Sequence, residues 1–185
     1  AAAALLMAAR WWGLAPDDPV LASVACNLGA DVAFFLQGGC ALFEGKGSTL
    51  VRRLEPMKDA LVLVKPPAGV ATAQAYAAFD EQPAPIPVDL LAQAQAAGRA
   101  ADVPLFNNLA AASGRLAPDL AEVAAWLAQQ PGMAGAQDVL LCGSGATTFA
   151  RTASFADACT IAAAAQQRGW WARATTFSGL RAAVV

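Results

Sequence analysis

Histidine is absent from all 185 residues. That removes Ser-His-Asp and Cys-His catalysis, His-ligated metals and imidazole general bases from this chain. Any chemistry falls to carboxylates, Lys or Arg, hydroxyls, thiols or backbone groups. Charge is sparse too: only 14% of residues are charged and the net charge is −2, so the basic stripe expected of a nucleic-acid binder is missing. Arg52 and Arg53 are the only adjacent basic pair, and on a strand they point to opposite faces rather than forming a patch. The four cysteines (Cys26, Cys40, Cys142 and Cys159) contain no C-x-x-C pair, which argues against a zinc knuckle. A chain this long and apolar does not need a disulfide scaffold, so reduced thiols in a cytoplasmic protein are the plainer reading. No apolar run reaches the ~20 residues of a membrane span. The opening stretch from Ala1 to Ala9 stops at Arg10 and has no positive region before it, so it does not read as a signal peptide. The sequence starts without Met, in mid-helix pattern, as a fragment would.

Hydrophobic residues make up 57% of the chain, enough for a real core and too many for disorder. Much of that fraction is Ala, which predicts helices in close contact through small side chains. A helix over residues 1–12 ends at Gly13. A second begins with Asp18 as N-cap and Pro19 at the first helical position, carries Leu21, Val24, Ala25 and Leu28 on one face, and ends at Gly29. Strands at Cys40–Phe43 and Ser48–Leu54 flank a Glu44-Gly45-Lys46-Gly47 turn. A boundary near Pro56–Lys58 divides the chain into residues 1–57 and 58–185. The second unit opens with a strand at Ala60–Val64, followed by a helix from Thr72 to about Phe79 with Thr72 as its cap, and another over Val88–Ala97. Asp119 and Glu122 have capping-box spacing ahead of the stripe Leu120, Val123, Ala124 and Leu127. A strand at Val139–Leu141, a Gly143-Ser144-Gly145 loop and a strand at Ala146–Ala150 come next. A helix capped by Ser154 and Asp157 then has Phe155, Ala158, Cys159 and Ala162 on one face, and a strand near Arg173–Phe177 closes the order. This order suits an α+β sandwich.

Asp31 is the first candidate for chemistry. Its neighbours are mostly apolar, where an unpaired carboxylate is costly to bury, and it follows a predicted helix C-terminus, where the dipole disfavours negative charge. It reads either as a base or positioning group, or as a turn Asp bonded to its own backbone. Gly143, Ser144 and Gly145 come second. Their glycines permit close backbone approach and successive amides can form an anion-binding nest, against the plainer alternative of an ordinary turn; with no following Gly-Lys-Ser/Thr, the loop is not a P-loop. Asn107-Asn108 reads first as a cap for a following helix, and Lys65 as a solvated strand end. The Trp11-Trp12 and Trp170-Trp171 pairs read as half-buried packing.

In this order, these segments resemble a known family. Leu28-Gly29-Ala30-Asp31-Val32-Ala33-Phe34-Phe35 is similar to the L-G-A-D-V-P-F-F segment of the 4-diphosphocytidyl-2-C-methyl-D-erythritol kinases, members of the GHMP kinase superfamily. Phe43-Glu44-Gly45-Lys46-Gly47 resembles the family's A-x-G-x-G hairpin, and Val70–Tyr76 its V-S-T-A-E-A-Y helix start. Gly143–Thr147 with Phe149 resembles the superfamily's third motif, and Ala1-Ala2-Ala3 the helix after its phosphate loop. The resemblance implies the GHMP two-domain α+β fold, with residues 1–57 as a remnant of the N-terminal domain and 58–185 as a complete C-terminal domain. It also implies ATP-dependent phosphorylation of the 2-hydroxyl of 4-diphosphocytidyl-2-C-methyl-D-erythritol, with Mg²⁺ accompanying ATP, in non-mevalonate isoprenoid synthesis. Asp31 matches the family's catalytic Asp, and Gly143, Ser144 and Gly145 would shape the phosphate side. The main ATP loop and the partner Lys would lie before Ala1. Two positions depart from the pattern: Ala33 stands where the family has Pro, and Asn107-Asn108-Leu109-Ala110 where it often has N-D-L/F-E. The alternatives are another GHMP small-molecule kinase and a non-catalytic GHMP-like module.

Overall fold

Three alanine-rich helices open the chain: α1 (Ala2–Trp11), α2 (Pro19–Leu28) and α3 (Ala30–Gln37). The computed structural model describes residues 1–180 other than Lys46, Ser48, Ala136 and Gln137. Asp18 caps α2 as its type predicts, its Oδ1 accepting the Val20 N–H at 2.9 Å ahead of Pro19. Ala2, Ala9, Leu21, Ala25, Ala33 and Leu36 bury against one another, so small residues set the contact between helices. Trp11 and Trp12 do not join this core. They are 87% and 72% exposed, because the apolar face of α1 is taken by alanines and the tryptophans fall at its end.

The hairpin strands β1 (Cys40–Glu44) and β2 (Thr49–Leu54) pair antiparallel, with a register irregularity between Leu42 and Phe43. The expected turn position Lys46 and strand start Ser48 lie outside the described residues. Arg52 donates to the Ala97 carbonyl at 2.9 Å, whereas Arg53 reaches the side chain of Gln37. The adjacent cations thus serve different partners.

The chain divides into two compact units. One holds Ala1–Met57 with Gln95–Val103 and the stretch from Ser178; the other holds Lys58–Ala94 and Pro104–Phe177. Residues 95–103 join the first unit because Glu55 exchanges backbone hydrogen bonds with Gly98 and Ala100, at 2.9 Å each.

The second unit is built on β3 (Ala60–Lys65), followed by α4 (Thr72–Glu81), α5 (Val88–Ala96), α6 (Ala110–Leu116), α7 (Asp119–Ala128), β4 (Val139–Leu141), β5 (Thr148–Arg151), α8 (Phe155–Gln167) and β6 (Trp171–Thr176). The four strands form one antiparallel sheet in the order β4-β5-β3-β6. Val62 and Val64 of β3 meet Val123 and Leu127 of α7 and Ile161, Ala162 and Ala165 of α8 in the core, which makes this a helix-on-sheet α+β unit. Trp170 lies edge-on to Trp126 with centroids 5.3 Å apart, while Trp171 is 50% exposed.

Three local expectations change. Thr72 is the first residue inside α4, with Ala71 at the cap position. Pro118 occupies the cap of α7 without a side-chain bond, so Asp119 and Glu122 act as first-turn acids favourable to the helix dipole rather than as a capping box. The buried stripe of α8 is Ala158, Ile161, Ala162 and Ala165; Phe155 and Cys159 are exposed, because the stripe runs through Ile161. The Ser154 cap holds, its Oγ accepting the Asp157 N–H at 3.1 Å.

Candidate functional site

Gly29 is the hinge that positions Asp31. At φ 148° it adopts a backbone that L side chains rarely reach, so α2 can end and α3 begin around one residue. Its N–H donates back to the Ala25 carbonyl at 3.0 Å, and its carbonyl accepts from Val32 at 3.0 Å. Asp31 therefore follows the C-terminus of α2, as expected, but it also sits in the first turn of α3, and it is exposed rather than buried. The expected burial is overturned, and the unfavourable end of α2 is offset by the favourable start of α3. The helix dipole favours its charge, and water solvates it. The cause is that Leu28–Leu36 is two helices broken at Gly29, with the apolar residues serving α3's inner face. Ala33 and Leu36 are buried there, and Phe34 meets Phe43 of β1 edge-on at 6.1 Å. These contacts fix α3 while the Asp31 carboxylate faces solvent. Among the described residues, none forms a hydrogen bond or ion pair with it.

In the second unit, the glycine loop connects β4 to β5. The Cys142 N–H donates to the Thr147 carbonyl at 2.8 Å, and the Gly145 N–H to the Cys142 carbonyl at 2.9 Å, closing a tight turn. Gly143 at φ 56° and Gly145 at φ 96° both need the left-handed region. A Cβ on Gly145 would also come within 3.3 Å of Leu141 Cδ1 and 3.4 Å of Leu120 Cδ1. The Cys142 thiol is pushed above its ordinary pKa by burial, an effect that a hydrogen bond with the Phe149 backbone partly offsets.

Three side chains outside the loop bind it. Asn107 Nδ2 donates to the carbonyls of Leu141 and Gly143, at 2.8 Å each, and its Oδ1 accepts the Leu109 N–H at 2.9 Å. Ser113 Oγ donates to the Ser144 carbonyl at 2.8 Å, and Thr72 Oγ1 lies 2.9 Å from Ser144 Oγ. Neither Asn is the helix cap that its type predicts: Leu109 occupies the cap of α6 with no side-chain bond, and Asn107 instead holds the Leu109 N–H and ties down the loop, which the sequence does not reveal. Ser113 drew no notice as one hydroxyl in an alanine-rich stretch. Asn108 turns elsewhere, to the Ala84 carbonyl at 3.0 Å. Beside the loop, a cleft of about 600 Å³ is lined by Tyr76, Phe79, Asp80, Phe106, Asn107 and Gly143, among others. It offers aromatic faces together with an amide and a carboxylate. Lys65 is exposed at its strand end, as expected.

No protein-family model matches the chain. Curated proteins do. The chain is 39% identical over 167 residues to a 4-diphosphocytidyl-2-C-methyl-D-erythritol kinase of Pelotomaculum thermopropionicum, covering 88% of this chain and 57% of that protein. It is 39% identical over 182 residues to the enzyme of the same name in Deinococcus radiodurans, covering 94% of this chain and 58% of that one. It therefore spans somewhat over half the length of these relatives. Among solved structures, a 4-(cytidine 5'-diphospho)-2C-methyl-D-erythritol kinase superposes with a TM-score of 0.69 at 30% identity, over 96% of this chain and 63% of its own. A homoserine kinase from Cytophaga hutchinsonii superposes with a TM-score of 0.53 at 19% identity, over 80% of this chain and 50% of its own, a likeness of fold alone.

Proposed function

We propose, for a chain that belongs to the 4-diphosphocytidyl-2-C-methyl-D-erythritol kinase family and has the GHMP kinase fold, that the protein transfers the γ-phosphoryl group of ATP to the 2-hydroxyl of 4-diphosphocytidyl-2-C-methyl-D-erythritol. The observation that carries this reading is the 39% identity across 88% of the chain. Its support in the structure is an exposed Asp31 on a fixed helix start, with no hydrogen-bond or ion-pair partner among the described residues.

Asp31 orients the substrate hydroxyl and accepts its proton as the hydroxyl oxygen attacks the γ-phosphorus. The bond from that phosphorus to the β–γ bridging oxygen breaks, and ADP leaves. Such a transfer depends on positioning and charge neutralisation more than on covalent chemistry, so a carboxylate and a set of backbone amides suffice without histidine. In the Gly143-Ser144-Gly145 loop, the amides of Gly143 and Ser144 have no acceptor among the described residues and suit a phosphate group. The cleft beside Gly143, with Tyr76, Phe79 and Phe106, suits the flat pyrimidine of the substrate.

ATP is the phosphoryl donor and Mg²⁺ its counter-ion. Among the described residues, no group of three or more His, Cys, Asp or Glu could hold a metal. The donors among the described residues fit Mg²⁺ as an ion carried by the phosphates and water. Among the described residues, no helix is long and apolar enough to cross a membrane. A cytoplasmic setting, where ATP and the nucleotide-linked alcohol are available, completes the reading.

The test is ATP-dependent turnover of the erythritol substrate by the full-length protein, with homoserine as the competing alcohol. Product formed from the first and not the second supports the proposal; the reverse would replace this substrate with another of the superfamily's.

A further inference from the structure

Resting on the kinase reading above, we infer that Asn107 and Ser113 are positioning residues that turn the Gly143–Gly145 loop so that its amides face a phosphate group. The carbonyls of Leu141 and Gly143 are drawn to Asn107 Nδ2, and that of Ser144 to Ser113 Oγ, at 2.8 Å in each case. The Cys142 carbonyl is taken by the Gly145 N–H at 2.9 Å. Every carbonyl from Leu141 to Ser144 is therefore engaged within this unit. On the donor side, the N–H groups of Cys142 and Gly145 are used internally, whereas those of Gly143 and Ser144 have no acceptor among the described residues. A peptide plane whose oxygen is held to one side must present its N–H to the other. Asn107's hold on the Gly143 carbonyl therefore aims the Ser144 amide, and the turn bond from the Gly145 N–H to the Cys142 carbonyl aims that of Gly143; Ser113, by holding the Ser144 carbonyl, fixes the plane whose N–H makes that turn bond, and the Gly143 and Ser144 amides are unspent. Successive free amides of this kind make an anion nest.

The clamps are built to hold. Ser113 has no exposed surface, and Asn107 is anchored at its other end by the Leu109 N–H. Asn107 also lines the cleft beside Gly143, so a phosphate-bearing ligand in that cleft would lie beside the loop that it braces.

The test uses the full-length protein and the variants Asn107→Asp, Ser113→Ala and Ser113→Cys. Asn107→Asp keeps the acceptor for Leu109 but sets oxygen against two carbonyls. Ser113→Cys keeps the shape of the side chain and a weak donor. Ser154→Ala, which removes the cap of α8, serves as the control for lost stability alone. Two readouts are taken: kcat and KM with ATP, and the amide resonances of Gly143 and Ser144 on adding inorganic phosphate.

In the wild type, phosphate should shift both resonances. Asn107→Asp and Ser113→Ala should weaken that response at least tenfold and lower kcat by about 10–100-fold, the cost of misplacing a reacting group by about an ångström. Ser113→Cys should recover part of both, and Ser154→Ala should lose melting temperature but no turnover. Phosphate shifts in a wild type that phosphorylates neither alcohol would sink the kinase reading and keep the positioning role. No phosphate shift at Gly143 and Ser144, or variants with wild-type kcat and phosphate response, would overturn the positioning role. If Asn107→Asp does not fold, the Ser113→Ala and Ser113→Cys pair decides by the same readouts.

Discussion

Ser113 Oγ, on a residue with no exposed surface, donates to the carbonyl of Ser144 at 2.8 Å across 31 residues of sequence. One buried hydroxyl thereby ties helix α6 to the Gly143-Ser144-Gly145 loop. The loop is thus a supported platform, and its response to substitution depends on which feature of that platform is disturbed.

Gly145 is the most sensitive position in the loop. Gly145→Ala imposes a side chain at φ 96° and crowds Leu141 and Leu120, so it should cost about 1–3 kcal/mol of stability and lower turnover as the turn opens. Gly69→Ala is the comparison. That glycine has ordinary φ and nothing within 4 Å of an added Cβ, so its effect should stay within about 0.5 kcal/mol. Chemical denaturation of both variants measures the difference.

Asp138 is mostly buried and pairs with the guanidinium of Arg151, whose Nε lies 2.7 Å from Oδ1. Asp138→Ala leaves that cation short of a partner, with Asp59 at 4.0 Å as its remaining acidic neighbour among the described residues. A loss of about 3–5 kcal/mol is expected, the cost of breaking one half of a buried pair. Replacing both, as Asp138→Ala with Arg151→Leu, should recover a large part of it. Equal losses in the single and double variants would show that the pair contributes little.

Much of this architecture is legible in the sequence. Asp18-Pro19 marks the start of α2, Ser154 caps α8, and Leu120, Val123 and Leu127 reach the core as their spacing predicts. The Asp31 segment and the Gly143 loop stand out because their residue strings are distinctive. Local pattern places the end of α2 at Gly29 but does not show that a new helix starts at Ala30, and so puts Asp31 in a buried setting. It also missed the bracing role of Asn107 and Ser113, whose loop partners lie 31 to 36 residues away. Contacts that distant leave no periodicity to read. Trp11 and Trp12 are exposed although apolar, because periodicity does not say which face of a short helix finds a partner.

Thiol reactivity gives a prediction that does not depend on the proposed activity. The thiolate is the reactive form, and burial raises the pKa of Cys142, so less of it is ionised near neutral pH than in an ordinary thiol. Cys159 is exposed on α8. With iodoacetamide near pH 7.5, Cys159 should be modified well before Cys142. The Cys142 rate should keep rising at pH values where a solvated thiol has levelled off. Mass spectrometry of timed samples reads both, and preferential labelling of Cys142 at neutral pH would contradict its buried setting.

Single-turnover phosphorylation of the erythritol substrate by wild-type and Asp31→Asn full-length protein tests most directly whether Asp31 serves phosphoryl transfer from ATP. Asp31 is exposed and has no partner among the described residues, so the substitution should leave folding and ATP affinity essentially unchanged. The predicted result is a fall in the transfer rate of about 10²–10⁴-fold, the range for losing a positioned general base. Transfer at the wild-type rate would contradict the account.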